Sequence, residues 1–343
     1  PKPVIEGTKE ALDEGKNIYT SAYGNFKLRD AIAKKQNDFY DQDVEAHNIL
    51  VSAGATGAFY TTAMSLLNEG DEVIVFEPYY GYHVSTLQSI GCKIKFIKTT
   101  PPSYEIDFDH LRSQITDETK AILICNPSNP SGKVYTKNEL EKIADIVTTN
   151  DLVLFSDEMY EHFIYDDLEF TSALSVDRLK EHTVVISGFS KIYSITGWRL
   201  GYAISTKEVI DTASAFNDLI YVCPPAPLQQ GVLKGLCELS KSYYTDVAKE
   251  HQIKRDKFIK ALNEAGLKAD YIKGAYYVLA DISKLEGSDD KEKVVTLLEK
   301  TGIAAVPARA FYSDSKDLHL ARFCFSKKQE ELDEAIKRLQ KLK

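Results

Sequence analysis

The residues able to do chemistry fall in short runs, each directly behind an apolar segment. Gly54-Ala55-Thr56-Gly57 follows Ile49–Ser52, and Pro78-Tyr79-Tyr80 follows Glu72–Phe76. Asn126-Pro127-Ser128-Asn129-Pro130-Ser131-Gly132 follows Ala121–Cys125. Asp157-Glu158-Met159-Tyr160 follows Leu152–Ser156, and Gly188-Phe189-Ser190-Lys191 follows Thr183–Ser187. These runs supply helix-opening backbone N–H groups, an aromatic ring, an amide, a carboxylate, a phenol and a primary amine. A lysine amine can hold an aldehyde as a Schiff base. A carboxylate can keep a pyridine nitrogen protonated, so that the ring accepts electrons from a carbanion. Helix-opening N–H groups and an arginine suit a phosphate. Pyridoxal 5′-phosphate needs all of these together. Taken singly, Asp157 reads as a helix cap, Lys191 as a solvated lysine, Tyr80 and Tyr160 as packing residues and Arg322 as a surface ion-pair residue. Their joint placement argues for the cofactor.

Such a set must be presented by elements that end side by side. The apolar runs Ile49–Ser52, Glu72–Phe76, Lys93–Ile97, Ala121–Cys125, Leu152–Ser156, Thr183–Ser187 and Leu200–Ile204 read as strands. Helical patterns over Thr56–Asn68, Gly81–Ile90 and Lys137–Thr148 separate several of them, the last opening on a capping box of Thr136 and Glu139. This alternation predicts an α/β domain around a mainly parallel sheet, with ligands beyond the carboxyl ends of its strands. A long helical stretch then runs from about Pro227 to Ala265. Short strands near Lys268–Tyr271, Tyr276–Asp281, Ile303–Val306 and Leu318–Phe325, with helices near Lys291–Thr301 and Lys327–Leu342, predict a smaller α+β domain. The expected division is a large domain over 16–226 and a small one over 227–343. The opening segment 1–15, helical over Val4–Glu14, is expected to pack on the small domain.

The runs Asn126–Gly132 (NPSNPSG), Ser156–Tyr160 (SDEMY) and Ser187–Gly201 (SGFSKIYSITGWRLG) resemble class I/II pyridoxal-phosphate aminotransferases, the aspartate aminotransferase fold of fold type I. The resemblance extends from Pro3 to the Arg322 region. It implies a seven-stranded sheet with the seventh strand antiparallel, and a smaller C-terminal domain. Lys191 would be the Schiff-base lysine and proton shuttle, and Asp157 the partner of the pyridine nitrogen. Tyr160 and Asn129 would donate to the ring's phenolic oxygen, and Tyr80 would stack on the ring. Gly54, Ala55, Thr56, Ser190 and Arg199 would hold the phosphate, with Tyr19 reaching that of a partner subunit. Arg322 would grip the substrate α-carboxylate bidentately, beside Asn129 and Tyr80. Two departures stand out. Gly188 occupies a position where the family often has a phosphate-binding Ser or Thr. The family's opening segment, with a glycine beside the substrate carboxylate, would precede Pro1.

The activity so implied is transfer of the α-amino group of an L-amino acid to a 2-oxo acid. Aspartate-specific members often carry a partner-chain arginine about thirty residues beyond the lysine, but no arginine occurs between Arg199 and Arg255. Leu219–Pro227 reads LIYVCPPAP, and Tyr23, Phe26, Tyr80, Tyr82 and Tyr221 could wall an apolar pocket, which favours a neutral or aromatic donor. A lyase or synthase on the same fold, such as a carbon–sulfur lyase, is the nearest rival. A non-catalytic ligand-sensing module is another. Because Tyr19 and the 219–227 loop would serve the partner's site, a homodimer is expected.

Composition narrows the classes. The 343 residues are 43% hydrophobic and 27% charged, as in globular proteins, and 42 basic against 51 acidic residues give a net charge of −9. That charge argues against a nucleic-acid partner or an anionic membrane surface. No apolar run approaches the roughly 20 residues of a membrane helix. Five scattered cysteines without a CxxC pair suit a reducing, cytoplasmic setting. Gly132-Lys133 lacks P-loop spacing, no GxGxxG follows the first strand, and the seven histidines form no metal motif, so no metal is expected.

Overall fold

Seven of the apolar runs join in one sheet in the computed structural model, which describes residues 1–314 and 318–342. Two helices come first, α1 (Lys2–Asp13) and α2 (Phe26–Tyr40). The alternation follows with β1 (Ile49–Ala53), α3 (Gly54–Leu66), β2 (Glu72–Glu77), α4 (Gly81–Ile90) and β3 (Lys93–Lys98). It continues through α5 (Phe108–Ser113), β4 (Thr119–Cys125), α6 (Lys137–Thr149), β5 (Val153–Asp157), β6 (Thr183–Gly188) and β7 (Leu200–Ile204). The strand order is β1-β7-β6-β5-β4-β2-β3. β7 is antiparallel to both its neighbours, and the remaining pairings are parallel. Strands β4 to β7 are almost wholly buried, because helices cover both faces. Leu28, Ile32, Leu140 and Ile143 fill one side, and Ala58, Phe59, Ala63 and Leu87 the other.

Strand direction decides what gathers at one edge. The carboxyl ends of β1, β2, β4, β5 and β6 lie together there. β7 runs the opposite way, so its first residue, Leu200, pairs with Ala53 at the end of β1, and Gly201 pairs with Gly188 at the end of β6. Arg199, just ahead of β7, is thereby delivered to the same edge.

The rest of the chain comprises α7 (Lys207–Tyr221), α8 (Ala226–Glu238), α9 (Lys241–Glu264), β8 (Tyr277–Asp281), α10 (Asp290–Thr301), β9 (Val306–Pro307), β10 (Leu320–Cys324) and α11 (Gln329–Leu339). The small sheet is antiparallel, in the order β8-β10-β9. The long helical stretch expected over 227–265 is two helices, since Leu239 and Ser240 take extended backbone with ψ of 123° and 165°. Ser240 stands at the N-cap of α9, where its hydroxyl meets that of Ser242 at 2.8 Å and makes no capping bond to the backbone. The strand expected at Lys268–Tyr271 reduces to one bridge from Ala269 to Ala280, and that expected at Ile303–Val306 to the two residues of β9.

Helix α1 packs along α8, whose Gly231 leaves the space: a Cβ there would lie 2.5 Å from the Val4 carbonyl oxygen. Val4 and Val232 belong to the apolar cluster of the large sheet, as does Tyr244 near the start of α9. Phe258, Ile259 and Leu262, farther along α9, belong to the cluster of the small sheet. Apolar continuity therefore passes between the two along α9. Among the described residues, no helix is long and apolar enough to cross a membrane.

Candidate active site

At the shared strand edge lies a cavity of about 400 Å³ lined by Ala55, Thr56, Tyr80, Asn129, Asp157, Tyr160, Ser190, Lys191 and Arg199. Its floor is the start of α3. The N-cap there is Ala53, which has no side chain to accept from the first-turn N–H groups, so those groups remain available to an anion. Gly54 has φ of +75°, and a Cβ on it would lie 2.9 Å from Cζ of Arg199. Glycine at 54 thus permits the turn and the approach of the guanidinium together. Arg199 is itself left-handed (φ 54°), and its Nη1 donates to Thr196 O at 2.9 Å. Gly188 also has a steric reason: a Cβ there would come within 2.8 Å of the Gly201 Cα. A Ser or Thr would collide with β7, so the missing hydroxyl follows from close strand packing.

Asp157 ends β5 and is 8% exposed. Its Oδ1 accepts from the Met159 N–H at 3.0 Å, and its Oδ2 accepts from His83 Nε2 at 2.9 Å. Tyr160, one turn on, is buried against Tyr276 and Tyr277 at ring distances of 5.1 and 5.9 Å. Burial holds its phenol well above the ordinary range, so it is a donor at neutral pH. Tyr80 is likewise pushed up by burial, and its ring meets His83 edge-on at 5.3 Å. The Lys191 amine is lowered by burial; Cys324 and Asp157 oppose the shift, while Arg199 and Arg322 assist it. That is the direction a base needs.

Asn129 Oδ1 accepts from Arg322 Nη1 at 2.9 Å, which joins the β4 loop of the large sheet to β10 of the small one. Arg322 Nε is buried and has no partner among the described residues, so one edge of its fork is left for a ligand. Twelve residues were expected at this site. Ten of them meet around the cavity or touch its lining, counting Gly54 through Arg199 and leaving Arg322 beside Asn129. Tyr19 does not: it is 77% exposed and absent from this chain's cavity.

Sequence reasoning missed His83. It lies three residues beyond Tyr80, in the first turn of α4, and nothing in a lone histidine announces that its ring reaches the end of β5. It also missed Tyr277 and Phe311, whose rings lie 4.3 and 4.8 Å from Cζ of Arg322. The antiparallel pairing of β10 with β8 and β9 makes that contact, and the short strands gave little sign of their pairing.

The donor set fits pyridoxal 5′-phosphate. The uncapped first turn of α3 and Arg199 match its phosphate, Asp157 its ring nitrogen, and Lys191 its aldehyde. The unpartnered Arg322 Nε matches an amino acid's carboxylate. Over residues 1–339 the chain matches the class I and II aminotransferases. It is 34% identical to the aspartate aminotransferase of Pyrococcus abyssi, over 100% of this chain and 88% of that one. Its backbone superposes on the N-succinyldiaminopimelate aminotransferase of Mycobacterium tuberculosis with a TM-score of 0.96, at 31% identity, covering 100% of this chain and 90% of that one. A methionine aminotransferase of Escherichia coli gives 0.95 at 29% identity, over 99% and 89%. With the cofactor's donors gathered at one strand edge and that likeness running its whole length, the chain belongs to the class I and II aminotransferases and takes pyridoxal 5′-phosphate as cofactor.

Proposed function

We propose that this aminotransferase takes a neutral or aromatic L-amino acid as donor, with Lys191, Asp157, Tyr160 and Arg322 in the working roles. When bound, the cofactor supplies the carbonyl that receives the amino group and the ring that draws electrons from the substrate's Cα. Lys191 Nζ, favoured in its uncharged form by burial, would accept the Cα proton and deliver it to the cofactor carbon that carried the aldehyde. Asp157, anchored by His83 and the Met159 N–H, would keep a proton on the cofactor's ring nitrogen. Tyr160 and Asn129 would donate to its phenolic oxygen. The first turn of α3, with Ser190 and Arg199, would bind the phosphate, and Tyr80 would cover the ring. Arg322 orients the amino acid through its carboxylate, so that Cα–H rather than another bond faces Lys191.

The observation that carries the donor class is the count of cations. Lys191, Arg199 and Arg322 are the cationic groups at this cavity among the described residues, and each already has a task. Leu219–Pro227 adds none, and Tyr80 and Tyr82 supply apolar wall. A distal carboxylate would have no cation from these elements. We further read the enzyme as a homodimer with shared sites, because Ile18, Tyr19, Phe26 and Leu219 are between 63% and 83% exposed and need an apolar cover. Five free cysteines support a cytoplasmic setting.

The test is the visible spectrum of the purified protein with a panel of L-amino acids. A yellow band bleached by neutral or aromatic donors, with release of the matching 2-oxo acid, is the expected result. Bleaching by aspartate or glutamate alone would overturn the donor class. A persistent band with accumulating pyruvate or ammonia would indicate elimination instead of transfer.

A further inference from the structure

We infer that Tyr277 and Phe311 are positioning residues for substrate recognition: their rings flank the Arg322 guanidinium and hold its fork in the plane that meets a carboxylate. This rests on the assignment of Arg322 to the substrate carboxylate. Cζ of Arg322 lies 4.3 Å from the Tyr277 ring centroid and 4.8 Å from that of Phe311. The third restraint is Asn129, which takes up Nη1, while Nε stays buried without a partner among the described residues. A guanidinium held in this way has already lost the tilting freedom that carboxylate binding would otherwise remove.

Each ring is in turn tied to the cofactor side of the cavity. The Phe311 carbonyl accepts from the Tyr79 N–H at 2.9 Å, and Tyr79 immediately precedes the ring-covering Tyr80. Tyr277 packs edge-on against Tyr160 at 5.9 Å. The two rings therefore fix where the carboxylate sits relative to the cofactor. A desolvated cation over an aromatic face is also favourable in its own right.

The experiment compares Tyr277→Leu, Phe311→Leu and Tyr277→Phe holoenzymes with wild type. KM and kcat are read for three donors of different side chain, together with the Kd of 3-phenylpropionate, a carboxylate that cannot react. Both leucine variants should raise KM and Kd roughly tenfold, by one common factor for all donors, with kcat at saturation little changed. Tyr277→Phe, which keeps the ring, should restore the wild-type KM. Wild-type KM and Kd in the leucine variants would overturn the inference, as would a change that follows the donor's side chain. Should Phe311→Leu fail to fold, the Tyr277 pair decides alone. Arg322→Leu separates the two layers: a wild-type KM there removes the carboxylate assignment itself.

Discussion

At the scale of the residue, two groups at the cavity make different demands on their surroundings. Asp157 is nearly buried, and its two oxygens accept from His83 and from the Met159 N–H, which fix the direction of its carboxylate. Replacing His83 by Phe keeps a ring against Phe59 but removes one of these bonds. We expect kcat to fall roughly tenfold, the worth of a charge-assisted hydrogen bond, with little change in KM. An unaltered kcat would mean that the Met159 N–H suffices. Lys191 must lose its charge. Because burial lowers its pKa, the folded chain binds that proton less tightly than the unfolded chain, whose lysine titrates near 10.5. Stability therefore rises as pH climbs through that range. Lys191→Met should abolish turnover, yet raise the Tm of the cofactor-free protein at neutral pH. The gap should close above about pH 10. A Met variant less stable than wild type at every pH would contradict this account.

At the scale of the element, the loops bearing Tyr160 and Lys191 are braced from below by α2. Lys35 Nζ bonds Glu161 Oε1 at 2.7 Å, and Gln36 Nε2 donates to Glu161 Oε2 at 3.2 Å and to the Tyr202 hydroxyl at 2.9 Å. Ser187 at the end of β6 donates to the same carboxylate at 3.3 Å. Burial, the largest single influence, would push the Glu161 carboxyl up, but Lys35, His162 and Gln36 together outweigh it and bring it to about 2. A carboxylate depressed in the folded state stabilises above its unfolded pKa near 4.5, and that contribution is lost as pH falls toward 2. Lys35→Met strands the buried charge and should cost about 3–5 kcal/mol by denaturant unfolding at pH 7. It should also flatten the loss of stability between pH 4.5 and 3. A cost below about 1 kcal/mol would mean that Glu161 is neutral or hydrated in the folded protein.

At the scale of the molecule, apolar exposure is concentrated where α2 begins and α7 ends. Leu219 and Ile220, at the end of α7, are 81% and 52% exposed, and Phe26, opening α2, is 63% exposed. If a second copy covers them, Leu219→Glu should shift the protein from dimer to monomer in sedimentation and reduce activity together with the dimer fraction. A monomer of full specific activity at nanomolar concentration would refute shared sites. Tyr19, exposed and outside this chain's cavity, belongs to the same question.

Much of the site was legible in the residues because its parts sit on strand ends, and strands announce themselves by local apolar runs. Lys191, Asp157, Asn129 and Tyr160 follow β6, β5 and β4 at short distances, so order along the chain carried their meeting at one edge. Sequence also determined the large sheet's strands to within a residue or two and the capping box of α6, both local matters of side-chain pattern and hydrogen bonding. The break between α8 and α9 lay beyond that pattern, because it is confined to Leu239 and Ser240 within an otherwise helical stretch. What only the tertiary structure decided involves long separations in the chain. His83 meets Asp157 across 74 positions, and Asn129 meets Arg322 across 193. Gly188 must be glycine because β7 lies against it. No local propensity encodes such contacts; they exist because the parallel order of β2, β4 and β5, the reversed β7 and the closing of the small sheet on the large one bring remote segments within bonding distance.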